Sequence, residues 1–218
     1  MLLRYLGHAA FELGLSDGRK VLFDPYEPGS YDGAVGFSPI EGSYDVVVVS
    51  HDHPDHRWKK AVEAAGDVVD EAGEYDLGGI RVTSYPTFHD ESGGSERGTN
   101  LVSIVEADGL KVAHLGDLGH MPELGAMPAL KGVDVLLVPV GGFFTIDAET
   151  AAEVVRAVGP AIAVPMHFKT AKLGFPIAPV DGFVSAMGDA EVRAGSELEI
   201  EKADLPPEGK VVVLEPAM

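Results

Sequence analysis

The stretch VVVVSHDHPDH, residues 46–56, decides the fold prediction because it joins an apolar, β-branched run to a dense cluster of polar groups. The run from Asp45 to Ser50 is typical of a strand buried on both faces. The six positions after it hold three histidines and two aspartates. Such a cluster is either a solvated loop or a set of groups that hold a ligand at the end of the strand.

Elements on either side of this stretch indicate an α/β protein. Pro54 and Asp55 suit the N-terminus of a helix through RWKKAVEAA, ending at Gly66. Asp-Gly pairs at 17–18 and 108–109 predict two hairpins. Further strands are predicted at GIRVTSYP, VDVLLVPV, AIAVPMHF and GKVVVLEP, and helices at DAETAAEVVRAVG and VDGFVSAMG. No linker with a shift in composition interrupts the chain, so we predict a single domain over residues 1–218, with sheets covered by helices.

Composition and charge exclude several classes of protein. The formal net charge is −19, which argues against a nucleic-acid binder, since these usually present a basic face. The chain has no cysteine, which excludes disulfides and zinc–thiolate sites. No apolar run reaches the ~20 residues that span a bilayer, and the N-terminus does not resemble a signal peptide. We therefore expect a cytoplasmic protein that acts on a small molecule, and we leave its oligomeric state open.

Histidines and aspartates follow several predicted strands at the point where each strand ends. Sites in sheets with helical crossovers gather at the carboxyl ends of strands, so we expect these side chains to converge. His-x-His in an extended segment points both rings to one side, so both can reach one ion. Imidazoles and carboxylates without cysteine suit Zn²⁺, with Mn²⁺ or Fe²⁺ as alternatives. The strand-end residues are His51, His53, Asp55, His56, His89, Asp117 and His167.

The HDHPDH stretch resembles the HxHxDH signature of the metallo-β-lactamase superfamily. The single ligands of that family also follow in the family's order, as His89, Asp117 and His167. Asp24, in the run FDP, is similar to the first acidic motif of the family. The resemblance covers most of the chain, from about Leu3 to His167. Its segments GHAAFEL, FHDESGGSERGTN, HLGDLGH, VPVGGFFTID and PMHFKT look like the Zn-dependent hydrolase branch that contains ascorbate-6-phosphate lactonase-like proteins.

The resemblance implies a four-layer αββα sandwich that holds two divalent metal ions. One ion would be bound by His51, His53 and His89, the other by Asp55, His56 and His167, with Asp117 as a bridge. The implied activity is hydrolysis of an ester-type bond, in a lactone or a phosphodiester, by a hydroxide held between the metals. The chain lacks the cysteine ligand of common β-lactamases, the inserted domain of the nucleases and the helical C-terminal domain of glyoxalase II-type enzymes.

Residues around this ligand set have predicted roles, several of them with an alternative. Asp55 is also predicted to orient the nucleophile, and His120 is the candidate proton donor, with a structural role as its alternative. Asp24 either supports the metal ligands or belongs to a turn, and His8 is either structural or part of the site. His114 is predicted to pack in the core. Arg97, Lys169 and Lys172 are candidates for positive charge at the site, and Phe143 and Phe144 for a pocket wall.

Two other functions compete with a hydrolase. The first is a metal-binding or metabolite-sensing protein without catalysis, since a fold does not by itself imply activity. The second is iron-dependent redox chemistry, as in flavodiiron relatives, which pair this fold with a flavodoxin domain that the chain lacks.

Overall fold

Two β-sheets form the centre of the protein, and the computed structural model describes all of residues 1–218. The six strands of the first sheet are, from edge to edge, Glu197–Glu199 (β13), Leu2–Gly7 (β1), Ala10–Gly14 (β2), Lys20–Phe23 (β3), Val46–Val48 (β4) and Asp67–Val69 (β5). The eight strands of the second sheet are Glu191–Val192 (β12), Lys210–Val213 (β14), Ile162–Met166 (β11), Val135–Pro139 (β10), Leu110–His114 (β9), Thr99–Ala107 (β8), Ile80–Phe88 (β7) and Gly73–Leu77 (β6).

Short helices flank the sheets. They are Ser30–Gly33 (α1), Lys59–Glu63 (α2), Ala148–Val158 (α3) and Asp181–Met187 (α4), with 3-10 turns at Pro128–Leu130 and Lys202–Asp204. Element α1 is a single turn, with positive φ at Tyr31 and Asp32. Helix α3 begins as its sequence predicts, because the Asp147 side chain accepts a hydrogen bond from the Thr150 N–H, and it ends at Gly159 in the left-handed conformation. No helix is long and apolar enough to cross a membrane.

The apolar run at residues 46–49 is buried on both faces, which explains why apolar and polar residues do not alternate in it. Val46 and Val48 belong to the main apolar cluster, to which both sheets and α3 contribute. Val47 and Val49 belong to a smaller cluster on the other face of the first sheet, where α2 packs. Two sheets facing each other with helices outside make up the predicted αββα sandwich.

The topology brings the carboxyl ends of many strands to one end of the molecule. Strands β3, β4 and β5 run parallel, and β1 points the same way because two antiparallel pairings separate it from β3. In the second sheet β9, β10 and β11 are parallel, and β7 again shares their direction. The segments that follow these strands carry His8, Asp24, His51, His89, Asp117 and His167.

Several local predictions are confirmed and one is wrong. Both Asp-Gly hairpins form, β2–β3 and β8–β9, and Asp108 and Gly109 have the positive φ angles that a tight hairpin turn requires. The helix after HDHPDH, however, begins at Lys59 rather than at Pro54. Pro54 and Asp55 lie in a single turn closed by the Arg57 N–H bonding to the His53 carbonyl, so this turn does not continue as a helix.

Candidate metal centre

Three histidines from two loops form the first group of the site (His51, His53, His89). Their candidate ligand nitrogens all lie within 4.8 Å of one another. His51 and His53 follow β4 and present rings whose centroids are 4.5 Å apart, while His89 follows β7. The ring of His89 lies 4.9 Å from that of His51, so the two sheets contribute to one constellation.

A second group (Asp55, His56, His167) lies beside the first. These residues, together with His8, also place their ligand atoms within 4.8 Å of one another, and all four side chains are buried. Asp55 and His56 are oriented by the turn that follows His53, rather than by a helix. His167 follows β11 in the second sheet.

Asp117 lies between the two groups. One of its carboxylate oxygens is 3.2 Å from His89 Nε2 and 3.2 Å from His167 Nε2. Its other oxygen is 3.2 Å from His56 Nε2. A carboxylate placed in this way has one oxygen shared between the two groups, which is the arrangement a bridging ligand requires.

Unpartnered buried atoms show that the donor set fits metal ions. His51 Nε2, His56 Nε2, Asp55 Oδ1 and Asp117 Oδ1 are buried and have no hydrogen-bond partner. Buried polar atoms are normally paired, because leaving one unpaired costs about 1–3 kcal/mol. Imidazole nitrogens and carboxylate oxygens are suitable ligands for Zn²⁺, Mn²⁺ and Fe²⁺. The residues present therefore fit the divalent ions that the sequence predicts.

Asp24 supports both groups from behind. Its Oδ2 accepts hydrogen bonds from His56 Nδ1 at 2.8 Å and from Ser50 Oγ at 2.6 Å, and its Oδ1 accepts one from the Ser50 N–H at 2.7 Å. The Ser50 hydroxyl in turn lies 2.9 Å from His51 Nδ1. These bonds occupy Nδ1 of both histidines, so Nε2 is the nitrogen that each ring can offer to an ion. Of the two roles considered for Asp24, the geometry favours support of the ligands.

A second polar anchor fixes the loop of Asp117. The Asn100 side chain is fully buried, accepts the Asp117 N–H at 2.9 Å, and donates to the Leu115 carbonyl and to Thr87. Gly116 has a φ of 55°, and a Cβ there would lie 2.5 Å from the Ser50 Cβ and would overlap the Asn100 amide. Glycine is therefore required where the segment before Asp117 passes closely against Ser50 and Asn100.

Backbone strain is concentrated at this end of the protein. Seven residues other than glycine have a positive φ, and five of them contribute to the site or its surroundings: His8, Asp24, Tyr31, Phe143 and His167. Left-handed conformations cost side chains other than glycine about 1–2 kcal/mol, and such strain is most often retained at functional sites.

Burial and mutual charge set the protonation of the cluster. Burial, followed by the nearby His56, lowers the pKa of His51 to about 3, which keeps this imidazole neutral and ready to bind an ion. Burial alone would raise the pKa of Asp117, but His167 and His56 outweigh it and hold the pKa well below the usual range. Asp117 is thus an ionised carboxylate.

A cavity of about 480 Å³ opens onto the two groups. Its floor contains His53, Asp55, His89, Asp117 and His167, and its walls are Tyr31, Glu96, Arg97, Phe144 and Phe175. The Arg97 guanidinium lies 6.0 Å from the Phe144 ring centroid, and its nearest carboxylate oxygen, on Glu96, is 3.8 Å away. Arg97 therefore retains hydrogen-bonding capacity for a ligand.

The loop that carries Arg97 is organised around one carboxylate. Asp90 accepts hydrogen bonds from the backbone N–H groups of Ser92, Gly94, Glu96 and Arg97. Burial opposes ionisation of Asp90, but these four bonds outweigh it and lower its pKa to about 2. These bonds fix the conformation of the Gly-rich segment, from which Glu96 and Arg97 line the cavity.

Four other candidate residues, Lys169, Lys172, Phe143 and His114, do not line the cavity. Lys169 donates to the Phe175 carbonyl at 2.7 Å. His114 packs as predicted, with its ring 5.1 Å from Phe23 and Nε2 2.8 Å from the Ala9 carbonyl.

His120 is not brought into the site. Its Nε2 accepts the Phe88 N–H at 3.3 Å, and its Nδ1 lies 2.9 Å from the Met121 carbonyl. Because both ring nitrogens bond to the backbone and the ring does not line the cavity, the geometry does not support the proton-donor role considered for it.

Several residues of the site were missed or not assigned a role from sequence. Ser50, Asp90 and Asn100 act through hydrogen bonds that shape the surroundings of the ligands. Tyr31 lines the cavity from a turn with positive φ that no sequence pattern predicts. Burial, followed by the carboxylate of Asp55, raises the pKa of Tyr31, so its hydroxyl stays protonated. Glu96 and Phe175, which also line the cavity, complete this set.

Comparison with known sequences identifies relatives over almost the whole chain. The family model described as the beta-lactamase superfamily domain matches residues 2–167. A UPF0173 metal-dependent hydrolase of Thermofilum pendens is 31% identical, over 98% of this chain and 96% of its own length. A second one, from Thermococcus kodakarensis, is also 31% identical, over 90% of this chain and 98% of its own length.

Solved structures agree with these relatives. A Thermotoga maritima protein of the metallo-beta-lactamase superfamily superposes with a TM-score of 0.78 at 34% identity, covering 98% of both chains. Igni18, a metallo hydrolase of Ignicoccus hospitalis, shares the fold with a TM-score of 0.68 at 24% identity, over 99% of this chain and 95% of its own. The narrower resemblance to ascorbate-6-phosphate lactonase-like proteins stays a prediction, since these relatives carry only the broader names.

Proposed function

The chain belongs to the metallo-β-lactamase superfamily, and from this premise we propose that it is a metal-dependent hydrolase with a dinuclear centre that cleaves an ester-type bond in a small molecule. The main support is that buried imidazole and carboxylate atoms without hydrogen-bond partners lie close together at the floor of one cavity.

The two groups of ligands support a centre with two ions, for which Zn²⁺ is our first choice. His51, His53 and His89 would hold one ion, and Asp55, His56 and His167 the other, with Asp117 shared. Divalent ions in such a pair make hydroxide available near neutral pH and polarise the substrate oxygen. The chain would contribute the spacing of the ligands, fixed by Asp117, and the direction of each Nε2, fixed by Asp24 and Ser50.

The cavity supports a substrate of small-molecule size with an anionic or strongly accepting group. A volume of about 480 Å³ is within the range of small-ligand sites, about 300–1,000 Å³. Arg97 would bind the accepting group, while Phe144 and Phe175 would contact apolar parts of the substrate. The protonated Tyr31 hydroxyl would donate a hydrogen bond to a substrate oxygen near Asp55.

Hydrolysis of a substrate panel tests this proposal. Zn²⁺- and Mn²⁺-loaded protein is assayed with bis(p-nitrophenyl) phosphate and with five- and six-membered lactones. We expect turnover of one bond class, which Asp117→Ala abolishes and His120→Ala retains, because His120 lies outside the site. Two bound ions without turnover of any panel member would instead support the non-catalytic metal- or metabolite-binding alternative. Turnover that survives Asp117→Ala would contradict the assignment of the site.

A further inference from the structure

His8 is a buried histidine that the ligand set leaves unused. It lies between β1 and β2 at a φ of 56°, and its side chain has no solvent exposure. A buried imidazole is costly unless it is hydrogen-bonded. Its Nε2 lies 3.0 Å from Asp55 Oδ2, with geometry that satisfies a hydrogen bond.

Among the candidate ligands, His8 contacts only members of the second group. Its carbonyl oxygen accepts the backbone N–H of His167 at 2.9 Å, and its ring centroid lies 4.2 Å from the His167 ring. The ring also lies 5.1 Å from that of His56. The aromatic contacts of His8 include no histidine of the first group.

Geometry separates His8 from the imidazoles that point at the centre. The Nε2 atoms of His56, His89 and His167 all lie 3.2 Å from Asp117 oxygens. His8 Nε2 is different, because it hydrogen-bonds to Asp55 Oδ2 and not to the carboxylate between the two groups. That bond occupies Asp55 Oδ2 and leaves Asp55 Oδ1 buried without a partner.

We propose that His8 is the positioning residue of the second ion: its Nε2–H holds Asp55 so that Oδ1 faces the ion, and its carbonyl and ring hold His167. This inference rests on the proposed dinuclear centre. In this role His8 would donate its Nε2–H to Asp55 and would not bind the ion itself. Carboxylate ligands supported in this way lose about 10–100-fold in metal affinity when the supporting group is removed.

Zinc affinity measured in two backgrounds tests the inference. With His53→Ala the first group is incomplete, so competition with a chromophoric chelator reports the second ion; with His167→Ala it reports the first. We expect His8→Met to weaken zinc binding about 10–100-fold in the His53→Ala background and to leave it unchanged in the His167→Ala background. His8→Gln, whose amide can donate from a similar position, should recover most of the affinity.

Three controls keep the result interpretable. Asp134→Asn changes a buried carboxylate at the amino ends of β9 and β10, away from the site, and it should change zinc affinity in neither background. Long-range ¹H–¹⁵N spectra of the zinc-loaded wild type should show His8 as the Nε2–H tautomer. The third is the zinc stoichiometry of the wild type, where a single bound ion would contradict the dinuclear centre and this inference with it.

Other outcomes contradict the inference alone. Equal losses for His8→Met in both backgrounds would assign His8 a general structural role. Unchanged affinity in both would assign it no role in metal binding, and a His8 Nε2 without its proton would make His8 a ligand. Each of these is compatible with two bound ions and hydrolysis in the wild type, so the proposed function would survive.

Discussion

Replacing Asp24 with asparagine tests the support of the ligands most directly. Asp24 is buried and accepts three hydrogen bonds, two from Ser50 and one from His56 Nδ1. An asparagine amide has a single acceptor oxygen, so in either orientation its NH₂ group faces at least one of these donors. If it faces His56, the imidazole must accept at Nδ1 and carry its proton on Nε2. The nitrogen that points at Asp117 would then have no lone pair for an ion.

The magnitude follows from these contacts. Loss of a group that orients a metal ligand costs about 10–100-fold in affinity, or about 1.4–2.7 kcal/mol of binding free energy. We expect Asp24→Asn to weaken both ions, because Asp24 reaches His56 directly and His51 through Ser50. This result differs from that expected for His8→Met, which weakens one ion.

Chelator competition measures the zinc affinity of the variant, and circular dichroism of the metal-free variant shows whether it is folded. Asp134→Asn is the matched control, because Asp134 is also buried and accepts the Lys111 N–H and the Lys202 ammonium. It lies at the amino ends of β9 and β10, opposite the strand ends that lead into the site. This substitution should lower the free energy of unfolding and leave zinc affinity unchanged. Wild-type zinc affinity in folded Asp24→Asn would refute the role of Asp24 in setting the imidazole tautomers.

Three further perturbations have defined outcomes. Gly116→Ala should lower the free energy of unfolding in urea by more than about 2 kcal/mol, because the new Cβ would overlap its neighbours and the φ angle is left-handed. Gly18→Ala, with nothing within 4 Å of the new Cβ, should lower it by only about 1 kcal/mol. Equal losses would contradict the close contact of Gly116 with Ser50 and Asn100. Arg97→Met should lower kcat/KM about 10–100-fold for an anionic substrate and little for a neutral one. Lys172→Met should leave kcat/KM unchanged for both substrates, since Lys172 does not line the cavity. An equal loss on both substrates in Arg97→Met would contradict anion binding by Arg97. Removing the metal with EDTA should lower Tm by about 5–10 °C per ion, relative to free zinc at 100 times Kd, and an unchanged Tm would contradict metal binding by the folded chain.

The candidate ligands could be predicted because each is a histidine or aspartate that directly follows a predicted strand, and both features can be read from neighbouring residues. HDHPDH follows an apolar β-branched run, and His89, Asp117 and His167 each follow a segment that reads as a strand. Ends of strands are where such residues converge, whatever the details of the sheet. Hairpin turns and the α3 caps were predictable for the same reason, since each depends on residues close in sequence.

The supporting contacts were not open to prediction because they join distant positions. His8 meets Asp55 across 47 residues, and Asp24 meets His56 across 32. The sequence around His8, a single histidine after a glycine, does not predict which carboxylate will lie next to it in the fold. The helix start at Pro54 was predicted wrongly for a related reason. The residues suit a helix N-terminus, but the ligand loop holds them in a separate turn, and the helix begins only at Lys59.

The two groups of ligands differ in how firmly they are held, and this difference suggests different tasks. In the second group, His56 is held by Asp24 and Asp55 by His8, and every member is buried. In the first group, His51 is held by Ser50, while His53 is only half-buried and lines the cavity. Preorganised ligands lose less freedom on binding an ion, so we infer that the second group binds its ion more tightly and fixes Asp117. The more open first group would then present its ion to the substrate beside Arg97.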